Sequence, residues 1–99
     1  MSQTPSAAQG LQLPEILDVT FAGPLAEQLL ALRGSTLTID ATQVQRVGAQ
    51  CVQVIMSAVS TWKADEVTLS VVDPSQEFRD ALSLLGIGLP EISTEEAAQ

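Results

Sequence analysis

Histidine and tyrosine are absent from this 99-residue chain, cysteine occurs once, and Lys plus Arg number 4 against 12 Asp plus Glu. Each shortage excludes a class of function. Zinc sites are built from His or several Cys, so one chain of this composition assembles none. A Ser or Cys nucleophile activated by His is excluded on the same ground. Cys51 has no partner for an intramolecular disulfide and lies in the apolar run AQCVQVIM, where it reads as a small buried hydrophobe. A formal net charge of −8 repels phosphate backbones and anionic lipid headgroups, so no nucleic-acid partner is expected. The cations Arg33, Arg46, Lys63 and Arg79 are scattered and form no basic stripe. Apolar runs fall short of the ~20 residues that cross a bilayer, and MSQTPSAAQG lacks both the charge and the apolar block of a signal peptide. A cytoplasmic protein without direct membrane insertion is the expectation. The glycines build neither a phosphate loop with its Lys nor a strand-G-x-G-x-x-G-helix unit. No enzyme activity, cofactor or metal is expected.

The residues that are present alternate between strand and helix patterns. Residues 1–10 are small and polar and read as a disordered lead-in, residues 11–90 as one domain, and residues 91–99 as an acidic tail. Leu11, Leu13, Ile16, Leu17 and Val19 predict a first strand region, bent at Pro14. A helix follows over Pro24 to Leu32, with Thr20 as a candidate cap and Gly34 as a left-handed stop. Leu37 to Asp40 alternates as a short strand, and Ala41 to Val47 forms a connection with Val44 and Val47 inward. Helical spacing is clearest over Ala49 to Ala64, where Cys51, Ile55, Ala58 and Trp62 share a face. Val67, Leu69 and Val71 alternate as a strand. The last helix then reads as capped by Asp73, opened by Pro74 and boxed by Gln76. Its expected inner face is Phe78, Ala81, Leu82 and Leu85, and Gly86 ends it; Ile87 and Leu89 either pair as a short strand or pack loosely. This order predicts an α/β fold, an open sheet with parallel pairs and helices packed mainly on one face.

Three features compete for functional meaning. Asp18, Asp40, Asp65 and Asp73 lie near strand ends, as in response-regulator receivers, but Lys63 precedes its strand instead of following one. Capping and turn closure explain these aspartates better. Trp62 reads as core packing with its N–H at the rim, against an interface anchor as the rival. Arg46 is the one cation in the connection that leads to the central helix.

The stretch LTIDATQVQRVGAQCVQVIMSAV resembles the signature of the STAS family, the sulfate-transporter and anti-sigma-factor-antagonist domains. In that pattern a strand ends in Asp, an apolar pair follows, and Asp-Ser-Ser-Gly-Leu-Gly opens a helix. Asp40 ends the strand here, with Val44 and Val47 as the apolar pair. Gly48, Ala49 and Gln50 stand where the family often has Asp, Ser and the phosphorylatable Ser or Thr, with Cys51 and Val52 in place of Gly and Leu. The resemblance covers Leu11 to Leu89 and implies a STAS-like open mixed sheet. A STAS regulator is typically switched by phosphate at the helix start, which adds nearly two negative charges to a docking surface. Gly48, Ala49 and Gln50 offer no hydroxyl, and Thr42 and Ser57 are displaced from that position, so the usual switch is missing. TIDATQVQRVG with STWKADEVTLSVVDPSQEFRDALSLLGI is similar to short stand-alone STAS proteins that accompany bacterial chemotaxis histidine kinases. That resemblance implies docking on the kinase and tuning of phosphoryl flow to response regulators. The contact surface would comprise Arg46, Val47, Gly48, Ala49, Gln50, Gln53 and Ser57. The alternative is an anti-sigma-factor antagonist or a small STAS subunit of a lipid-transport ABC complex. Oligomeric state is left open.

Overall fold

The computed structural model describes residues 9–94. The chain runs through β1 (Gln9–Gln12), β2 (Ile16–Leu17), α1 (Val19–Ala31), β3 (Leu37–Asp40), β4 (Arg46–Val47), α2 (Ala49–Ala64), β5 (Leu69–Val72) and α3 (Gln76–Leu84), and closes in a short 3₁₀ turn, Leu89–Ile92. β1, β3 and β5 form a three-stranded sheet in that order, and β2 pairs with β4 in a two-stranded one. Every described pair is parallel, so the expected mixed sheet consists of parallel ladders among the described residues.

Register follows from burial. Leu11, Ile39 and Val71 lie abreast, as do Leu37 and Leu69, and this face meets the core. One residue along each strand, Gly10, Thr38 and Ser70 turn the other way, followed by Gln12, Asp40 and Val72. Gly10, Gln12 and Val72 are exposed there. Period-two alternation thus leaves one face polar, while Leu25, Leu29, Ile55, Trp62, Phe78 and Leu82 of the helices join the strand residues in one core. No buried polar or charged residue interrupts it among the described residues.

Several expected boundaries move, each for a physical reason. The first strand region splits at Pro14, as expected, but Val19 lies in α1 and is 62% exposed. α1 starts at Val19 because Asp18 caps it: its carboxylate accepts from the Thr20 amide at 3.1 Å. Thr20 is therefore inside the helix, and Pro24 falls in its second turn. Proline there removes the bond to the Thr20 carbonyl, a defect offset by burial of Leu25 and Leu29. Gly34 takes the left-handed backbone at φ +92° as expected. At α3, Asp73 is itself left-handed (φ 48°), which an N-cap residue cannot be, and Ser75 caps instead, its Oγ accepting from the Phe78 amide. Pro74 thus precedes the helix, and the Gln76 side chain bonds Asp80 rather than reaching back. Leu85 lies beyond the last turn and is exposed, unlike Phe78 and Leu82.

The chain ends also differ from expectation. β1 begins at Gln9, inside the segment read as a lead-in; residues 1–8 lie outside the described residues. Ile92 is buried, and the Thr94 amide donates to the Leu69 carbonyl while its Oγ1 accepts from the Leu69 amide. This pins the start of the acidic tail to the outer edge of β5. Residues 95–99 lie outside the described residues. No described helix is long and apolar enough to cross a membrane.

Candidate functional site

α1 and α2 lie side by side and start at the same end. The Gly48 amide donates to the Leu17 carbonyl at 2.8 Å, and the Cys51 thiol donates to the Asp18 carbonyl at 3.3 Å. These bonds tie the β2–α1 junction to the β4–α2 junction. At the other end the Arg33 guanidinium grips the Asp65 carboxylate with Nε at 2.8 Å and Nη2 at 3.1 Å. Trp62 is buried and its indole N–H donates to the Ser35 carbonyl at 2.7 Å, so its place in the core with the N–H at the rim is as expected.

The aspartates singled out in the sequence act separately. Asp18 and Asp40 repeat one device: each carboxylate accepts from both the amide and the hydroxyl of the threonine two residues on, Thr20 and Thr42. The Thr20 hydroxyl is the main cause holding the Asp18 carboxyl below its ordinary range, and Thr42 does the same for Asp40. Arg33 lowers Asp65. Asp73 turns the chain at positive φ. Among the described residues no three metal-ligating side chains converge. Burial, and secondarily the charge of Asp18, pushes the Cys51 thiol up, which disfavours the thiolate.

The seven contact-surface candidates fall into two groups. Arg46 and Val47 form β4, paired with Ile16 and Leu17; Arg46 is exposed and Val47 packs against the core. Gly48 is the N-cap of α2 with extended backbone and no side-chain cap, so the first-turn amides of α2 lack the carboxylate that α1 receives from Asp18. Ala49, Gln50, Gln53 and Ser57 are exposed on α2. Of these, Gln50, Gln53 and Ser57 line one wall of an open groove of about 430 Å³ between α1 and α2. Ala22, Ala26, Leu29 and Leu30 of α1 form the opposite wall, with Val54, Ala58, Thr61 and Trp62 completing α2's side. Arg46, Val47, Gly48 and Ala49 lie outside its lining.

A helix starting at Pro24, as the sequence predicts, leaves Ala22 outside and hides the α1 wall. A signal existed: Ala22, Ala26 and Leu30 recur every fourth residue across Pro24. α2's outward side is notable for what it omits. From Ala49 to Ala64 its single charge is Lys63, and its first turn carries no hydroxyl. Chemically the arrangement offers unpaired amides, neutral amide side chains and an apolar trough, which suit recognition rather than bond making.

The curated proteins contain no match to the chain. Over residues 1–89 it matches a family model described as Mlab, STAS domain, and with the parallel α/β sheet and the helix opening after Asp40 and Val47 this places the chain in the STAS domain family.

Proposed function

We propose that this STAS domain is a non-catalytic docking module that binds a chemotaxis histidine kinase in the cytoplasm and modulates phosphoryl signalling to response regulators. STAS domains are generally binding domains, which supports the non-enzymatic reading. The observation that carries the docking role is the start of α2: exposed, without a side-chain cap, uncharged, and free of a phosphorylatable first-turn residue. Helix N-terminal amides carry partial positive charge and receive acidic or polar groups. The proposed contact surface is Arg46, Val47, Gly48, Ala49, Gln50, Gln53 and Ser57, and the kinase assignment rests on the resemblance of the flanking stretches. A second reading is an anti-sigma-factor antagonist or a small STAS subunit of a lipid-transport ABC complex, roles that membership of the STAS domain family leaves equally open.

Purification of the tagged full chain from its native cells, followed by mass spectrometry, separates the two: a histidine kinase supports the first, an anti-sigma factor or a transporter ATPase the second. Gln50→Glu then tests the surface. A carboxylate in the first turn of α2 stabilises the helix by ~0.3–1 kcal/mol. The same charge repels an acidic partner group. Unchanged or higher melting temperature with at least tenfold weaker binding is expected; unchanged binding refutes the surface.

A further inference from the structure

The groove between α1 and α2 is open and mainly apolar. On α1's outer shoulder Val19 is 62% and Leu30 65% exposed, while the small residues Ala22, Gly23 and Ala26 lie between them. Gln50 to Thr61 on the α2 wall spans about 16 Å, roughly three helical turns. None of the groove's lining side chains is ionisable, in a chain with 12 acidic and 4 basic residues. α1 carries a single charge, Glu27, exposed and adjacent in sequence to Ala26 on the outer shoulder. Glu27 has no ion-pair partner among the described residues; the one ion pair is Arg33 with Asp65.

We propose that this groove seats an amphipathic helix of the partner protein, about three turns long, with apolar residues at helical spacing and a Lys or Arg on the flank that meets Glu27. This deepens the docking reading and rests on it. The small Ala22 and Ala26 of the α1 wall let a third backbone approach, and Leu29 and Leu30 supply the larger apolar groups beside them. Apolar lining selects apolar anchors, as interface cores are depleted of charge. A second copy fits worse: it brings another net charge of −8 and another Glu27 to a face whose two helices carry one cation between them, Lys63. A partner with basic flanks removes that repulsion.

The test places a photo-cross-linking amino acid at Ala26 of the full chain in its native cells, with Gln12 on the open sheet face as control. The cross-linked peptide is then sequenced. A partner peptide that is amphipathic at helical spacing and carries Lys or Arg is the expected product from Ala26, and no product is expected from Gln12. With the purified partner, Leu30→Glu is expected to weaken binding at least tenfold. Glu27→Lys should weaken it at low salt, with the loss shrinking as salt rises. Both residues are exposed, so melting temperatures should hold. Cross-linking to a second copy of this chain overturns the proposal. So does retained affinity in Leu30→Glu when Gln50→Glu has lost it, an outcome that leaves docking at α2's start intact. Failure of the wild-type chain to co-purify with any partner overturns both readings.

Discussion

Ser75 holds two parts of the molecule with one hydroxyl. Its Oγ accepts from the Phe78 amide at 3.1 Å, capping α3, and donates to the Val44 carbonyl at 2.5 Å. Its amide donates to the Ala41 carbonyl at 3.1 Å. The connection so fixed runs into Arg46, Val47 and the start of α2. Replacing Ser75 by Ala removes the cap, worth ~1 kcal/mol. It also leaves the carbonyl of Val44, a buried residue, without its donor, a cost of ~1–2 kcal/mol. A total of about 2–3 kcal/mol is a large share of the 5–15 kcal/mol that stabilises a typical domain. With a urea slope near 1 kcal/mol/M, the midpoint falls by about 2–3 M. Ser75→Asp separates the two roles, because Asp caps well but cannot donate to Val44; it should recover only the capping part. Ser75→Thr keeps both and should stay close to wild type. Urea unfolding followed by Trp62 fluorescence reads all three. If Asp73 were the cap, as its spacing to Gln76 suggests, Asp73→Ala would cost about 1 kcal/mol and Ser75→Ala almost nothing. That result, or Ser75→Asp matching wild type, refutes the argument.

Two further outcomes follow from the titrating groups. Asp65 has its carboxyl lowered from 3.8, chiefly by the Arg33 hydrogen bond, so its contribution to stability is full above the unfolded value and is lost as pH falls through the lower folded one. Asp65→Asn should therefore melt lower than wild type at pH 7, and the gap should close below pH ~3.8; a gap independent of pH refutes the pairing. Cys51 is buried with its thiol raised, so a disulfide-exchange reagent should label it slowly in the native protein at pH 8 and at once in urea; rapid stoichiometric labelling of the native chain refutes this.

Legibility in the sequence tracked how local the deciding interaction was. β3 and α2 were readable to the residue because alternation at Leu37–Asp40 and helical spacing at Cys51, Ile55, Ala58 and Trp62 are strong, and Gly48 marks the junction. Gly34 and Gly86 were legible as left-handed stops, and both have positive φ. The failures involve competition between plausible local signals. Asp73 and Ser75 both suit a cap, and the winner was decided by Val44, which is remote in sequence. Pro24 signals a helix start, yet the tertiary burial of Leu25 and Leu29 with the Asp18 cap carried the helix back to Val19. β4 was missed because two residues cannot show a period; its pairing with Ile16 and Leu17 exists through the Glu15 carbonyl, which receives the amides of both Gln45 and Arg46. At the candidate site the α2 half was visible and the α1 half was lost with the Pro24 boundary.

The way α1 and α2 are joined bears on regulation. Both ends of the helix pair are tied, by Cys51 to Asp18 and Gly48 to Leu17 at the start and by Arg33 to Asp65 with Trp62 to Ser35 at the finish. A groove between helices fixed at both ends is formed before its occupant arrives, so docking avoids most of the ordering cost that weakens flexible sites. A phosphate switch works against such rigidity only by charge, and the first turn of α2 has no hydroxyl to carry one. On the proposed reading, the domain is therefore always competent to bind, and control passes to the partner: whatever exposes or hides its helix sets the occupancy of the groove.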